Sequence, residues 1–156
     1  MYNHAKSDYK CPICLAINGV ENGDTMIKQD DIIYRDEIAL GIISSKFIGN
    51  NPGHVVIFPK THFENVYDLP DDVGSHLFKI TRLISIALKE VRRCDGITIA
   101  QYNEPASGQH AFHYHTHIIP RFVYDNYIKQ QNSTRVSEPS ERVNFANELK
   151  TWFSNR

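Results

Sequence analysis

Three histidines, His113, His115 and His117, alternate with other residues in "GQHAFHYHTHIIPRF" (108–122), and His110 stands just ahead of them. Imidazole is well suited to chemistry near neutral pH, because it can attack as a nucleophile, move protons or ligate a metal. On an extended strand successive side chains leave opposite faces. The three rings would then share one face, with neighbours about 6.5 Å apart, while Phe112, Tyr114, Thr116 and Ile118 face the other way. The chain has eight histidines, and four of them fall between His110 and His117. Such a row could be a solvated polar face, a description that suits isolated His4 and His76. It could hold a catalytic metal. Or one ring could attack a substrate while a hydrogen bond fixes its other nitrogen. Spacing alone leaves the three open.

Cys11 and Cys14 form a C-x-x-C pair, and Cys94 stands alone. An odd cysteine count in a chain without a secretion signal argues against a disulfide framework. The pair fits half of a zinc site or a redox motif. The redox version favours a βαβ setting, which the N-terminal stretch does not offer, and a closed zinc site needs two further ligands. Cys94 is expected to be a plain buried or half-buried thiol.

The residues around the histidine row choose among the alternatives. His-x-His-x-His followed by two apolar residues, with Gly108-Gln109 before and Pro120-Arg121 after, resembles the signature of the histidine triad (HIT) superfamily. The resemblance extends to "NNPGHVVIFPKTHFENVYDLP" (50–70), similar to the Gly-His, apolar strand and Pro-Lys-x-His segment of bacterial HIT proteins, and to "CPIC" (11–14). It implies a nucleotidyl hydrolase in which His115, the middle histidine, attacks the α-phosphate of a nucleoside phosphoramidate, dinucleoside polyphosphate or similar nucleotide. A covalent nucleotidyl-imidazole intermediate would follow, with the His115 Nδ1 proton held by the backbone carbonyl of His113. Transfer or phosphorolysis by the same chemistry, and a nucleotide-binding regulatory module with little turnover, are the alternatives.

By the same resemblance His117 contacts phosphate oxygen and the leaving group, and His54 accompanies the triad. Gln109, His110, the Ala111 amide and Asn103 are the substrate-binding candidates; the asparagine position could slip by one onto Tyr102. The zinc-bearing branch of the family implies a structural zinc held by Cys11, Cys14, His62 and His113. Homodimers are implied too. Two positions depart from the family pattern. His110 replaces the usual Ser or Thr, either adding a cationic phosphate contact or standing as a tolerated surface change. Lys46 stands where many members carry a ribose-binding aspartate, and a lysine cannot accept hydrogen bonds from ribose hydroxyls. Sugar recognition would then fall to Ser44 or Ser45, or Lys46 would attract an additional phosphate; a plain surface lysine is the third alternative.

Elements to position these residues are legible in the hydrophobic pattern. Strands are expected at "DIIYRD" (31–36), "EIALGII" (37–43), "HVVIFP" (54–59), "GITIAQY" (96–102) and "AFHYHTHIIP" (111–120), all rich in β-branched and aromatic residues. "CPICLAI" (11–17) reads as a short first helix. The strongest helix is "LPDDVGSHLFKITRLISIALKEVRR" (69–93), opened by Pro70, Asp71 and Asp72, with Val73, Leu77, Ile80, Ile84, Ala87 and Val91 on one face. A C-terminal helix in "VSEPSERVNFANELKTWF" (136–153) starts near Pro139 and carries a stripe of Val143, Ala146, Leu149 and Phe153. The polar stretch "KQQNSTRVSEPS" (129–140) reads as a flexible connection. The count of elements suggests an antiparallel α+β domain around one long helix. With the resemblance, this implies a HIT-like fold: a sheet of about five strands, a core over about 11–122 and a C-terminal extension over 123–156.

Size and charge set the frame. At 156 residues the chain fits a single domain, 1–156, with one site. Hydrophobic residues make up 41% and charged residues 22%, and a formal net charge of -1 gives no long-range pull toward nucleic acid or anionic membrane. The polar N-terminus has no signal-peptide core, and apolar runs such as "IALGII" are too short to span a bilayer, so the expected location is the cytoplasm. An anionic ligand, here a small nucleotide, must be held by local groups.

Overall fold

Two apolar runs make the middle of the structure, a computed structural model that describes residues 2–156. β2 (Ala39–Ile43) and β4 (Val55–Pro59) are buried at every position, and they pair antiparallel. β1 (Ile32–Arg35) joins the free side of β2, while β6 (Thr116–Arg121) and then β5 (Gly96–Gln101) join β4. The result is a five-stranded antiparallel sheet of order β1-β2-β4-β6-β5, as expected for an α+β HIT-like fold.

Alternation sorts the two faces. Ala39, Ile43, Val55, Ile57 and Ile118 pack with α2 (Asp71–Arg92) and α5 (Pro139–Ser154) in the larger core. Leu40, Ile42, Val56 and Phe58 point the other way, where they meet α1 (Pro12–Ile17). α2 follows its expected stripe closely, with Leu77, Ile80, Ile84 and Ala87 buried and Val73 and Val91 packed against the core. Two aspartates open its first turn, and Arg93 ends it in the left-handed region with φ 48. Gly53 also needs positive φ: a Cβ there would lie 2.6 Å from Phe145 and 2.7 Å from Arg92 Nη1. That turn delivers His54 to the start of β4.

Three sequence expectations are corrected. The strand expected over 111–120 begins at Thr116, because the backbone before it bonds elsewhere: the Tyr114 amide donates to Phe63 O at 2.6 Å and the His113 amide to Ala111 O at 2.9 Å. Phe112 accordingly leaves the opposite face and packs edge-on against Tyr9. The supposedly flexible 129–140 stretch contains β7 (Thr134–Val136), which pairs antiparallel with β3 (Lys46–Ile48) in a second, two-stranded sheet. And Val143 is not a main core contact of α5; the buried residues there are Arg142, Ala146 and Leu149, flanked by Phe145, Trp152 and Phe153.

Arg142 is the unexpected one, 1% exposed and in an ion pair with equally buried Asp31 at 2.7 Å. Its guanidinium also donates to Ser137 O and Met26 O. One side chain thus ties α5 to the start of β1 and to the residue after β7. The isolated histidines have carboxylate partners, His4 with Glu104 and His76 with Asp36. Cys94 is buried with its thiol toward Leu88 O. Among the described residues no helix is long and apolar enough to cross a membrane.

Removing one partner of a buried pair strands the other charge, at a cost of about 3–5 kcal/mol, whereas replacing both with apolar groups is much less harmful. Urea unfolding of Arg142→Met should show a loss of about that size, with most of it recovered in Arg142→Met combined with Asp31→Leu. A single variant as stable as the wild type would contradict this role.

Candidate active site and metal centre

His113 is fully buried and does two things at once. Its Nε2 lies 2.9 Å from Pro59 O and must carry the proton, because a carbonyl only accepts. Nδ1 then presents its lone pair, 3.5 Å from Cys11 Sγ and 3.5 Å from Cys14 Sγ. The His62 Nδ1 is 3.3 Å from Cys14 Sγ, and donor atoms of all four residues lie within 4.8 Å of one another. A tetrahedral zinc with Zn–S near 2.3 Å and Zn–N near 2.0–2.1 Å would set each N···S separation at about 3.6 Å. The donor set therefore fits such an ion in type and in size.

Local chemistry points the same way. Cys11 caps the N-terminus of α1, its sulfur accepting from the Cys14 amide at 3.4 Å, with Pro12 opening the helix. Burial pushes the Cys14 thiol up to about 12, reinforced by the neighbouring Cys11 sulfur. A cation between the sulfurs would reverse that, since two adjacent thiolates need a positive partner. The His113–Pro59 bond is the outer support that metal-bound histidines commonly have.

The second role of His113 lies in its backbone. His115 Nδ1 donates to His113 O at 2.7 Å. That bond fixes the tautomer and leaves Nε2 as the basic nitrogen, and Nε2 makes no hydrogen bond among the described residues. Burial holds the ring below the usual histidine value, opposed by the bond to His113 O and assisted by His110. The nitrogen is therefore unprotonated at neutral pH.

His117 lies on β6 opposite Val56 of β4, and its ring centroid is 5.1 Å from that of His115. Its Nδ1 is 3.3 Å from Nε2 of His54, whose own Nδ1 is buried without a partner among the described residues. An orphaned donor is rarer than an orphaned acceptor, so the favoured arrangement places a proton on His54 Nε2, donated to His117 Nδ1. His117 then carries its proton on Nε2, the edge turned from His54. Burial keeps His117 well below the ordinary histidine range, with His115 and His54 adding to the effect, and burial alone brings His54 to about 4.

His54, His115, His117, His110 and Ala111 line one cavity of about 660 Å³ over the α1 side of the sheet. This volume is ordinary for a small-molecule site. Ile42, Val56, Phe58 and Ile119 supply apolar lining. The Ala111 amide has no partner among the described residues, so it is free to donate to a ligand. Cavity and metal cluster are distinct but share the 113–115 backbone.

Two expected ligand contacts are placed elsewhere. Gln109 is 3% exposed and does not line the cavity: its oxygen accepts from the Glu104 amide at 2.6 Å and its nitrogen donates to Glu64 O at 2.6 Å. It shapes the loop before Ala111. Asn103 accepts from the Val66 amide at 2.8 Å and exchanges bonds with Gln101, outside the cavity lining. Tyr102, one residue before it, does line the cavity, along with Ser107 and Tyr127, neither of which the sequence singled out. Tyr127 sits on α4 (Tyr127–Gln130), in a region without a motif.

Known proteins resemble this chain in sequence and in fold. A HIT domain family model matches residues 27–123. An uncharacterized HIT-like protein of Saccharolobus solfataricus is 30% identical over 132 residues, spanning 84% of this chain and 88% of its own length. A bis(5'-adenosyl)-triphosphatase of Dictyostelium discoideum is 30% identical over 139 residues, spanning 84% and 91%. Among solved structures, a zinc-bound histidine triad family protein from Mycobacterium smegmatis superposes with a TM-score of 0.73 at 26% identity, covering 94% of this chain and 98% of its own.

The buried neutral state of His54 has a consequence for stability. Its folded pKa is depressed from 6.5 to about 4, so between those values the unfolded chain binds the extra proton and stability falls as pH falls. The loss attributable to His54 is about 3 kcal/mol by pH 4. Denaturant unfolding from neutral to acid pH should therefore show a shallower decline for His54→Asn than for wild type, a comparison in which the metal ligands are common to both. Parallel declines would contradict a buried neutral His54.

Proposed function

The chain belongs to the HIT domain family, and on that premise we propose that it is a nucleotidyl hydrolase working through a covalent intermediate on His115. The observation that carries the proposal is the 2.7 Å bond from His115 Nδ1 to His113 O, beside a cavity that His115 lines. It leaves a neutral, basic Nε2 as the nucleophile, the form of imidazole able to attack phosphorus. The name of the Dictyostelium relative, bis(5'-adenosyl)-triphosphatase, supports phosphorus in a nucleotide as the target.

The steps balance without further groups. The Nε2 lone pair of His115 forms a bond to the α-phosphorus as the bond from phosphorus to the leaving atom breaks, and that atom takes a proton from solvent. His117 Nε2–H and the Ala111 amide donate to the phosphoryl oxygens, where charge accumulates. Water then adds to phosphorus, the P–N bond breaks, its electron pair returns to Nε2, and the water releases a proton. His54 holds the His117 ring from behind. His110, at the cavity rim, adds a further donor for phosphate.

Cys11, Cys14, His62 and His113 would hold a structural zinc ion, supported by the donor types and separations and by the zinc bound in the Mycobacterium structure. When bound, zinc supplies a fixed anchor for the His113 backbone. We also propose a homodimer: β5 is an outer strand of the sheet with no partner on its free side among the described residues, and Ile99 on it is 53% exposed. Such an edge invites pairing with a second copy.

Hydrolysis of adenylyl and guanylyl phosphoramidates and dinucleoside polyphosphates, followed by product chromatography, tests the nucleophile. His115→Ala should lose at least about a thousandfold in turnover, as removal of a covalent nucleophile does; near-normal turnover would refute the assignment. For the metal, elemental analysis should find one zinc per chain in wild type and far less in Cys14→Ser, which should also melt lower. Wild-type protein purified in zinc-supplemented medium and still free of zinc would refute the four-ligand site.

A further inference from the structure

One wall of the cavity lies beyond the segment that matches the family. The match ends at residue 123, yet Gln131, Asn132 and Thr134 line the cavity, brought there as β7 pairs with β3. Ser44, Ser45 and Lys46 line it too, Lys46 being the first residue of β3. Lys46 is exposed and belongs to no ion pair among the described residues. No aspartate or glutamate lines the cavity, although the chain has 18 acidic residues.

This composition decides what the wall can recognise. A ribose diol is best held by a charged acceptor, and the cavity has none. What this wall offers is an ammonium group, hydroxyls and carboxamide N–H groups, a set of donors matched to phosphate oxygens. An ammonium with no carboxylate competing for it keeps its attraction for an incoming anion, and a partly enclosed site strengthens that attraction over open water.

We propose that Lys46, with the neighbouring Ser45 and Thr134, forms a second phosphate subsite, and that the preferred substrate is a nucleotide whose ribose carries an additional phosphate. The proposal rests on nucleotidyl transfer through His115 as set out above. The leaving group departs after the first displacement, whereas the nucleotidyl group stays bonded to His115 until water arrives. A wall continuous with the cavity around His115 serves the part that stays. That is why the extra phosphate belongs on the transferred sugar rather than on the leaving group.

The test compares adenosine 5'-phosphoramidate with its 2'-phosphorylated and 3'-phosphorylated counterparts, using wild type, Lys46→Met and Lys46→Asp. A charge-assisted contact corresponds to about tenfold or more. Wild type should favour at least one ribose-phosphorylated compound by about that factor in kcat/KM. The preference should collapse in Lys46→Met and reverse in Lys46→Asp. Equal kcat/KM for all three compounds, or a preference that survives both substitutions, would overturn the subsite while leaving the hydrolase assignment intact. If no compound turns over, the hydrolase assignment fails, and calorimetry then decides the subsite alone. Adenosine 2',5'- or 3',5'-bisphosphate binding tighter than adenosine 5'-monophosphate, with the difference lost in Lys46→Met, sustains it; equal affinities overturn it.

Discussion

The site depends on one residue held from three directions. The His113 ring is locked by Pro59 O on one nitrogen and turned toward two cysteine sulfurs on the other, while its carbonyl accepts a hydrogen bond from His115 Nδ1. A free strand end would let that carbonyl wander, and with it the tautomer of the proposed nucleophile. Burial of His113 and the converging bonds remove the freedom. Pre-positioning of this kind matters because reacting groups gain most from being held before the substrate arrives.

The rest of the chain serves that constraint by its layering. Alternation along β2 and β4 sends half of their residues to α2 and α5 and the other half to the α1 face. The large core is therefore on the far side of the sheet from the cavity, and the chemistry sits on the other side without competing for packing. Pairing of Val56 with His117 puts His54, two residues before Val56 and on the same face, beside the last histidine of the row. The buried Arg142–Asp31 pair then holds α5 near the extension that closes the cavity.

Much of this was legible in the sequence, and the failures have physical causes. Strands with strong alternation and the long amphipathic helix follow from residue type and spacing, whereas the cysteine–histidine donor set follows from the family resemblance. The histidine row is plain in the spacing too, yet its period of two suggested one continuous strand, whereas only His117 lies on β6. Periodicity records which way side chains point and says nothing about where the backbone finds its partners, and here the Tyr114 amide finds Phe63. β7 was invisible because its partner β3 lies about ninety residues earlier and both strands are three residues long. Arg142 carries no sequence signal of burial, because arginine within a helix is normally solvated. Gln109 and Asn103 satisfy the amides of Glu104 and Val66, which belong to two separate segments that no local pattern brings together.

In the proposed mechanism His115, held by His113, carries the nucleotidyl group during turnover. Mixing enzyme with an adenylyl substrate, quenching in base before product accumulates, and sequencing the peptides by mass spectrometry addresses it directly. One adenylyl group per modified chain is expected, bonded to His115 and released when the peptide is acidified. An adduct located on another residue, or no adduct together with direct attack of water on phosphorus by stereochemical inversion, would contradict it.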